Sequence, residues 1–439
     1  MTNKKSPVAT KTSALLPWIV WGLGCLFYFY ENLIQVSPSV MSNELMHDFS
    51  VTSHTLGILS GIYFYSYAVM QLPGGVLIDY FGPKRLLIIA VSICALSTIA
   101  FAMTDSFYMA CVARLMIGFG SAFAVVGTLK LATNWFPPER FAFLTGLMVT
   151  IGMLGSINGE APLSLMVDHF GWRESLVILG AIGLVLAFVI YIVSSDMPYV
   201  KPKHLIVHHT EEHVLHNLSL LIRNKQLWLV ALYGGLMYMA TPVFCGLWGV
   251  PFLMLKMSMS KTMAANAISL VFVGWVIASP LWGIFSNRIG RRKMPMYIAS
   301  IGCLISSIVF IYIPLTHYFP LQLALFAFGI FSAAFLPAFS VASELCNRRY
   351  VATGLSFMNM MNMVGIALVQ PAIGFLLDNA WTGQMAQGVR VYSLSAYQSS
   401  LIILPLAILA ALIILPFIRE TYCVSVYEDP VKKTSKKSI

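Results

Sequence analysis

The chain has 439 residues, of which 58% are hydrophobic and only 10% are charged, and its mean hydropathy is +0.80. A soluble globular domain carries about 25% charged residues, so this chain could not cover a water-facing surface of its size. We expect lipid to be its outer solvent. The net charge of +10 would suit nucleic acid, but the basic residues lie in short runs between long apolar segments, so we expect no nucleic-acid partner.

Twelve apolar segments are long enough to cross a bilayer, because a hydrocarbon core about 30 Å thick needs about 20 residues of helix. We number them spans one to twelve, and they predict an all-α membrane protein. They cover residues 16–41, 53–78, 86–104, 106–132, 141–167, 175–194, 226–255, 262–286, 294–316, 320–346, 350–377 and 396–418.

The basic residues predict the orientation, since loops on the cytoplasmic side collect Lys and Arg. If both termini are cytoplasmic, the outer loops hold only four of the 27 basic residues, namely Arg173, Lys256, Lys261 and Arg390. We therefore expect a multi-pass protein of the cell inner membrane with both termini in the cytoplasm.

A polar stretch between spans six and seven divides the chain into six spans and six spans. We expect a cytoplasmic tail, a six-helix bundle, a cytoplasmic central loop, a second six-helix bundle and a basic cytoplasmic tail. Their predicted bounds are 1–15, 16–194, 195–225, 226–418 and 419–439.

The two halves repeat each other. The stretch GGVLIDYFGPKR follows span two and WGIFSNRIGRRK follows span eight, so Gly75, Asp79 and Gly82 match Gly283, Asn287 and Gly290 at one offset. In the same way, Gly155 and Asp168 of span five match Gly365 and Asp378 of span eleven. Two parallel repeats place a solute path at their interface, near the middle of the bilayer.

These features together resemble the major facilitator superfamily over about residues 16–418. The loop pattern of that family, G-x-L-x-D-x-x-G-x-[RK]-[RK], is met by Gly75, Leu77, Asp79, Gly82, Lys84 and Arg85, although Tyr80 and Pro83 replace basic residues that are usual there. Its span-four pattern, R-x-x-x-G-x-G, is met by Arg114, Gly118 and Gly120. The resemblance implies two pseudo-symmetric six-helix bundles and a conformational latch in the loop, where Asp79 caps the start of span eleven.

Within the superfamily, YENLIQVSPSVM in span one and NWFPPER after span four are similar to bacterial nutrient-uptake branches, including the intraphagosomal amino-acid transporters of proteobacteria. Drug antiporters usually carry GPxxGG in span five, where this chain has NGEAPL. Carriers of organic anions often carry an Asp-Arg pair in span one, where this chain has Glu31 and Asn32.

Five ionisable residues lie inside predicted spans: Glu31, Arg114, Lys130, Glu160 and Glu344. A charge in the middle of a membrane costs at least about 2.5 kcal/mol, so such residues are functional candidates. At 1.5 Å per residue, Glu31, Arg114 and Glu160 lie roughly 20–30 Å from the cytoplasmic face. Either carboxylate could pair with Arg114 while the other binds a substrate amine or a coupling proton. A purely structural salt bridge is the alternative.

Other polar residues complete the candidate site. Lys130 and Glu344 lie near the inner ends of the equivalent spans four and ten, and we predict that they pair as an inner gate when the protein opens outward. Separate snorkelling to the interface is the alternative. Asn32 and Gln370 could contact the substrate, or could form ordinary interhelical hydrogen bonds.

The central loop carries five histidines, of which His209, His213 and His216 fall on one helical face. No Cys or well-placed Asp completes a metal site, so we expect an amphipathic helix and neither a metal nor another cofactor. The cysteines within the spans are interpreted as small packing residues.

The sequence favours a secondary active transporter over an enzyme, since it holds no P-loop, HExxH or GxSxG motif. We expect proton-coupled uptake of a small polar nutrient such as an amino acid, because Glu31 and Arg114 supply the acid and base that a zwitterion needs. A carrier of an organic anion, sugar, nucleoside or siderophore, an exporter, and a passive channel are the alternatives. The expected partners are the solute, a proton and membrane lipid, and we expect a monomer.

Overall fold

The computed structural model describes residues 15–194, 224–346, 351–386 and 388–426. Within them, ten helical stretches are long and apolar enough to cross a membrane. Predicted spans two and five are helical as well, over Ser53–Phe81 and over Phe141–Asn158 followed by Ala161–Phe170. The twelve-span prediction is therefore confirmed, whereas the central-loop histidines lie outside the described residues.

The first half, described over residues 15–194, holds spans one to six. Several of its spans are made of two helical segments. The helices are Leu16–Val36 in span one, Ser53–Phe81 in span two, Pro83–Met103 in span three, Phe107–Ser121 and Phe123–Trp135 in span four, Phe141–Asn158 and Ala161–Phe170 in span five, and Trp172–Val193 in span six. Short helices at Ser37–Val40, Ser42–Asp48 and Pro138–Arg140 connect them.

The second half, described from residue 224 onward, holds spans seven to twelve. The helices are Lys225–Val243, Phe244–Trp248 and Gly249–Met257 in span seven, Lys261–Ile289 in span eight, Lys293–Tyr312 in span nine, Tyr318–Ser332, Ala333–Phe335 and Leu336–Leu345 in span ten, Val351–Asn379 in span eleven, and Leu394–Ser400, Ile403–Ile414 and Leu415–Phe417 in span twelve. A hairpin of two antiparallel strands, Met385–Ala386 and Val389–Arg390, lies between the last two spans.

The matched loop glycines have a backbone function. Gly82 ends span two with φ of 81°, and Gly290 ends span eight with φ of 64°. Both values lie in the left-handed region that side chains disfavour, so glycine allows an abrupt turn between two long helices. Pro83 then begins span three, where its missing N–H costs no helical hydrogen bond.

The outer surface is apolar. Large side chains such as Leu96, Val185, Phe188 and Ile413 are more than half exposed on spans three, six and twelve. Such an extensive apolar surface would be a liability in water but suits the acyl chains of a bilayer.

The halves meet closely on one side. We call the side where span one begins and span twelve ends the terminal side, and the opposite side the far side. Toward the far side, a Cβ on Gly57 of span two would lie 2.7 Å from the backbone oxygen of Gln370, and a Cβ on Gly374 of span eleven would lie 2.2 Å from that of Ser53. Because a side chain would clash at both positions, these glycines allow spans two and eleven to pack backbone against backbone.

A cavity of about 550 Å³ separates the halves toward the terminal side. Span five lines it with residues including Phe143 and Gly146, and spans eight and ten line it with Ser279, Pro280 and Leu336. A Cβ on Gly146 would meet nothing within 4 Å. The halves are thus in backbone contact at spans two and eleven on the far side and are separated toward the terminal side. A second cavity of about 680 Å³ lies between them at the outer edge of the far side, lined by residues including Glu44, Trp172 and Tyr392.

Candidate functional site

Three irregular backbone segments come together where the two halves are in contact. This region lies between the middle of the spans and the far side. Span one ends in the 3₁₀ turn Ser37–Val40, span five is interrupted between Asn158 and Ala161, and span seven contains the π-helical turn Phe244–Trp248. The turns of spans one and seven are in contact. Interrupted helices at this depth are typical of transporter binding sites, because irregular backbone is tolerated only where protein or water satisfies it.

Glu160 forms the interruption in span five and is completely buried. The Ser39 hydroxyl lies 3.0 Å from each of its carboxylate oxygens, so Glu160 joins spans one and five. No described basic side chain forms an ion pair with it. Its carboxyl group is therefore stabilised by hydrogen bonding alone, which is costly for an ionised acid in an apolar environment.

Glu31 lies on span one and is 3% exposed. It accepts a hydrogen bond of 2.5 Å from the Tyr63 hydroxyl and one of 2.9 Å from the Asn32 side-chain amide. The same amide nitrogen donates to the backbone oxygen of Tyr28 at 2.8 Å. Asn32 therefore orients the carboxylate of Glu31. Its contact with substrate stays a prediction.

Arg114 on span four is 1% exposed, and the two predicted salt bridges to it are not formed. Its Nη1 donates to the backbone oxygen of Ile34 at 3.3 Å, while its Nε and Nη2 have no partner among the described residues. The guanidinium instead lies 5.1 Å from the centre of the Tyr63 ring. Tyr63 thus stands between Arg114 and Glu31, and the sequence analysis missed it because an isolated tyrosine in an apolar span carries no signal.

A cavity of about 20 Å³ lies between the halves close to this cluster. Asn32, Gln35 and Ser156 line it from the first half, and Tyr238 and Trp275 line it from the second. Its volume is about that of one water molecule. A solute could therefore bind here only if the halves moved apart.

Gln370 is buried where span eleven passes span seven. Its side-chain amide donates to the backbone oxygen of Pro242 at 3.4 Å, and the Trp248 indole donates to the Gln370 backbone oxygen at 3.2 Å. Its Oε1 has no partner in the described structure. Gln370 therefore joins two spans of the second half, and its contact with substrate stays a prediction.

The loop-motif residues lie on the terminal side. Asp79 forms an ion pair with Lys130 of its own half, and its cap at the start of span eleven stays a prediction. Lys84 lies over the ring of Tyr191 at 5.8 Å, and Arg85 is exposed. Gly75 has open space beside it, and Gly82 makes the turn described above.

Glu344 is bound within its own half. Arg292 donates to it at 2.7 Å, and the Thr421 hydroxyl also donates to it. Lys130 and Glu344 are therefore not paired in this conformation. Because we predicted their pairing for the opposite conformation, it stays a prediction.

Two equivalent polar contacts join the halves on the far side, and we call them the far-side latches. In the first, Lys261 at the start of span eight binds Glu44 at 2.7 Å and Asp168 at 2.8 Å. In the second, the backbone N–H of His54 at the start of span two donates to Asp378 at 2.9 Å. Asp168 and Asp378 are the pair matched by the sequence repeat, so each half uses its own copy of this acid to bind the other half.

The far-side contacts between two bundles, the terminal-side cavity and the buried polar cluster of the first half are the features of a membrane transporter. The sequence model of the Major Facilitator Superfamily matches residues 20–255 and 236–438. The chain therefore belongs to this superfamily, which confirms the resemblance inferred from its motifs.

Curated relatives carry different solutes. A probable sulfoacetate transporter of Cupriavidus necator is 30% identical over 38% of this chain and 39% of its own. A hexuronate transporter of Bacillus subtilis is 25% identical over 37% and 39%. The chain thus matches about two fifths of the length of these relatives. A lysosomal dipeptide transporter of Mus musculus is 22% identical over 82% of this chain and 80% of its own.

Solved structures share the fold. A bacterial homologue of the human lysosomal transporter Spinster, in an inward-facing and unoccupied conformation, aligns with a TM-score of 0.73 and 17% identity over 94% of this chain and 97% of its own. The nucleoside transporter NupG aligns with a TM-score of 0.72 and 15% identity over 92% and 99%. These similarities confirm the major facilitator fold.

The far-side latches generate a first prediction. Replacing Lys261 with Met removes two ion pairs between the halves, and partly exposed pairs contribute about 0.2–1 kcal/mol each. We expect the far side to open roughly twofold to thirtyfold more often. A cysteine introduced at Val40, which is buried in the far-side contact, should be labelled correspondingly faster by an impermeant maleimide in a cysteine-free background.

The matched control is Lys256→Met, because Lys256 donates only to backbone oxygens of its own half in the described structure, among them Phe310 and Ile313. It should leave labelling unchanged. Equal labelling rates for Lys261→Met and Lys261→Arg would contradict the latch.

The predicted inner gate gives a second prediction. Lys130→Glu and Glu344→Lys should each reduce transport, since each places like charges together when the terminal side closes. Each change also disrupts an ion pair within its own half, Lys130 with Asp79 or Arg292 with Glu344, so the double variant should recover part of the loss in a transport assay. A double variant that is less active than either single variant would contradict the pairing.

Proposed function

We propose that this chain takes up a small polar nutrient, such as an amino acid, by alternating access coupled to protons. Membership of the superfamily makes it a transporter, and the proposal concerns the solute, the coupling ion and the direction. One observation carries it. Arg114 keeps two unpartnered guanidinium nitrogens, Nε and Nη2, deep in the first half, together with two buried carboxylates that have no cation partner in the described structure.

The carboxylates suit proton coupling. Glu31 and Glu160 are held by hydroxyl and amide groups, and a buried ionised acid without a counter-charge is unfavourable. Binding a proton neutralises the carboxylate and removes that cost. Exposure of the carboxylate to water, when the site opens, favours release of the proton. Either residue can therefore exchange a proton as the site changes sides.

The guanidinium group of Arg114 is suited to binding a carboxylate group of a solute. Arg presents its N–H groups in a planar fork that binds a carboxylate through two parallel hydrogen bonds. A zwitterionic solute could place its carboxylate on Arg114 and its amine near Glu31, while Asn32 and Gln370 offer amide groups. An organic anion is the second candidate, favoured by the unpartnered N–H groups of Arg114 and by the sulfoacetate and hexuronate carriers among the relatives.

The basic residues support the placement of the terminal side in the cytoplasm of a cell whose inner membrane holds the protein. In that orientation the present conformation faces inward, as does the solved Spinster homologue. We propose that the protein works as a monomer, with membrane lipid, the solute and a proton as its partners.

Uptake into proteoliposomes tests this function. With an inward-directed proton gradient, a labelled amino acid should accumulate, and a protonophore should abolish the accumulation. Counterflow should be accelerated by unlabelled solute inside the vesicles, as expected of a carrier and not of a channel. Accumulation that survives the protonophore would contradict proton coupling, and uptake of organic anions alone would favour the second candidate.

Arg114 gives a direct test of solute binding. Loss of a hydrogen bond to a charged group costs about 1.5–3 kcal/mol, so Arg114→Gln should reduce uptake at low solute concentration roughly tenfold to a hundredfold. Arg140→Gln is the control, because Arg140 is exposed on the terminal side. Full activity of purified, folded Arg114→Gln protein would contradict the assignment.

A further inference from the structure

The chemistry of the two halves differs where they face each other. The first half lines the cavity between the halves with Asn32, Gln35, Val36, Met153 and Ser156, and the buried Glu31 and Arg114 belong to the same half without lining the cavity. The second half presents Tyr238, Thr241, Pro242, Phe272 and Trp275 to the same cavity. The first half therefore presents three polar side chains to the cavity, and the second half presents three aromatic ones.

The aromatic residues form a packed wall from three spans. The Tyr238 and Trp275 ring centres lie 5.9 Å apart with an interplanar angle of 69°, and Phe335 lies 4.9 Å from Tyr238 and 5.1 Å from Trp275. These distances are those of favourable aromatic pairs. We call Tyr238, Phe272, Trp275 and Phe335 the aromatic wall.

The wall has little hydrogen-bonding capacity left for a solute. The Trp275 indole N–H already donates to the Ser332 hydroxyl at 2.6 Å. Tyr238 lines the cavity opposite Asn32 and Gln35 of the first half. Thr241 Oγ1 is unpartnered in the described structure and offers one hydroxyl beside the rings.

We propose that the transported solute is amphipathic, with a compact charged head bound by the first half and an apolar aliphatic or aromatic side group bound by the aromatic wall. This inference rests on the proposed function for the role of Arg114 and Glu31. It excludes solutes that carry hydroxyl groups on every side, since each buried hydroxyl without a partner is strongly unfavourable. Sugars and sugar acids are therefore poor ligands, whereas a neutral amino acid with a large apolar side chain fits both surfaces.

The test measures binding apart from transport. The thermal stability of the purified protein is recorded with phenylalanine, leucine, alanine, serine and glucuronate, each at a series of concentrations. We expect phenylalanine or leucine to bind at least about tenfold more tightly than alanine or serine, because each methylene in an apolar pocket changes affinity about 10–200-fold. Glucuronate should cause no shift.

Variants locate the selectivity. Trp275→Leu should reduce the preference for phenylalanine over alanine about tenfold or more while alanine still binds, because the head group contacts the other half. Phe272→Leu is a milder second variant in case Trp275→Leu does not fold, and it should shift the preference in the same direction. Trp282→Leu is the matched control, since Trp282 lies on the same span but outside the aromatic wall and should leave the preference unchanged.

The outcomes separate the two proposals. Tighter binding of serine or glucuronate than of leucine and phenylalanine, or no thermal shift with any apolar amino acid, would overturn the amphipathic-solute inference. Proton-driven uptake of those polar solutes would still support the proposed function. Selective binding of apolar amino acids without any proton-dependent uptake would support the inference and overturn the proton coupling.

Discussion

The cost of burying a charge in a membrane organises this protein. Glu31, Arg114 and Glu160 are almost completely buried, yet none pairs with an opposite charge among the described residues. A stable salt bridge would satisfy these groups permanently and would leave nothing for a solute or proton to do. Tyr63 instead offers its hydroxyl to Glu31 and its ring to Arg114. Tyr63 therefore separates the charges of Glu31 and Arg114, although the two residues lie close together. A charged solute can then stabilise both.

The contacts that hold the two halves together on the far side also follow the sequence repeat. Each half contributes an acid at the far end of an equivalent span, Asp168 or Asp378, and each acid binds the beginning of a span in the other half. On the terminal side, Asp79 and Glu344 are instead satisfied within their own halves. Polar contacts of modest strength can exchange partners without a large barrier, so neither closed side has to be very stable.

The sequence predicted the fold because hydropathy and length are sufficient to place helices in a bilayer. The motif glycines were also predictable, since Gly82 and Gly290 adopt backbone conformations that favour glycine. Which side chains of the buried cluster contact each other could not be predicted. The depth of Glu31, Glu160 and Arg114 could be estimated from helical rise, but the rotation of each span and the breaks at Ser37–Val40 and Phe244–Trp248 decide which groups meet. The positions of Tyr63, Trp275 and Phe335 depend on those rotations and could not be identified beforehand.

Distances between spin labels in lipid nanodiscs test the central claim, that two bundles rock about the buried polar cluster. One label pair replaces the exposed far-side residues Asp105 and His317, and another replaces the exposed terminal-side residues Arg140 and Arg288, in a cysteine-free background. When a transported solute or a change of pH shifts the equilibrium, the far-side distance should grow as the terminal-side distance shrinks. If both distances stay fixed during transport, or both grow together, the two bundles do not rock about the cluster.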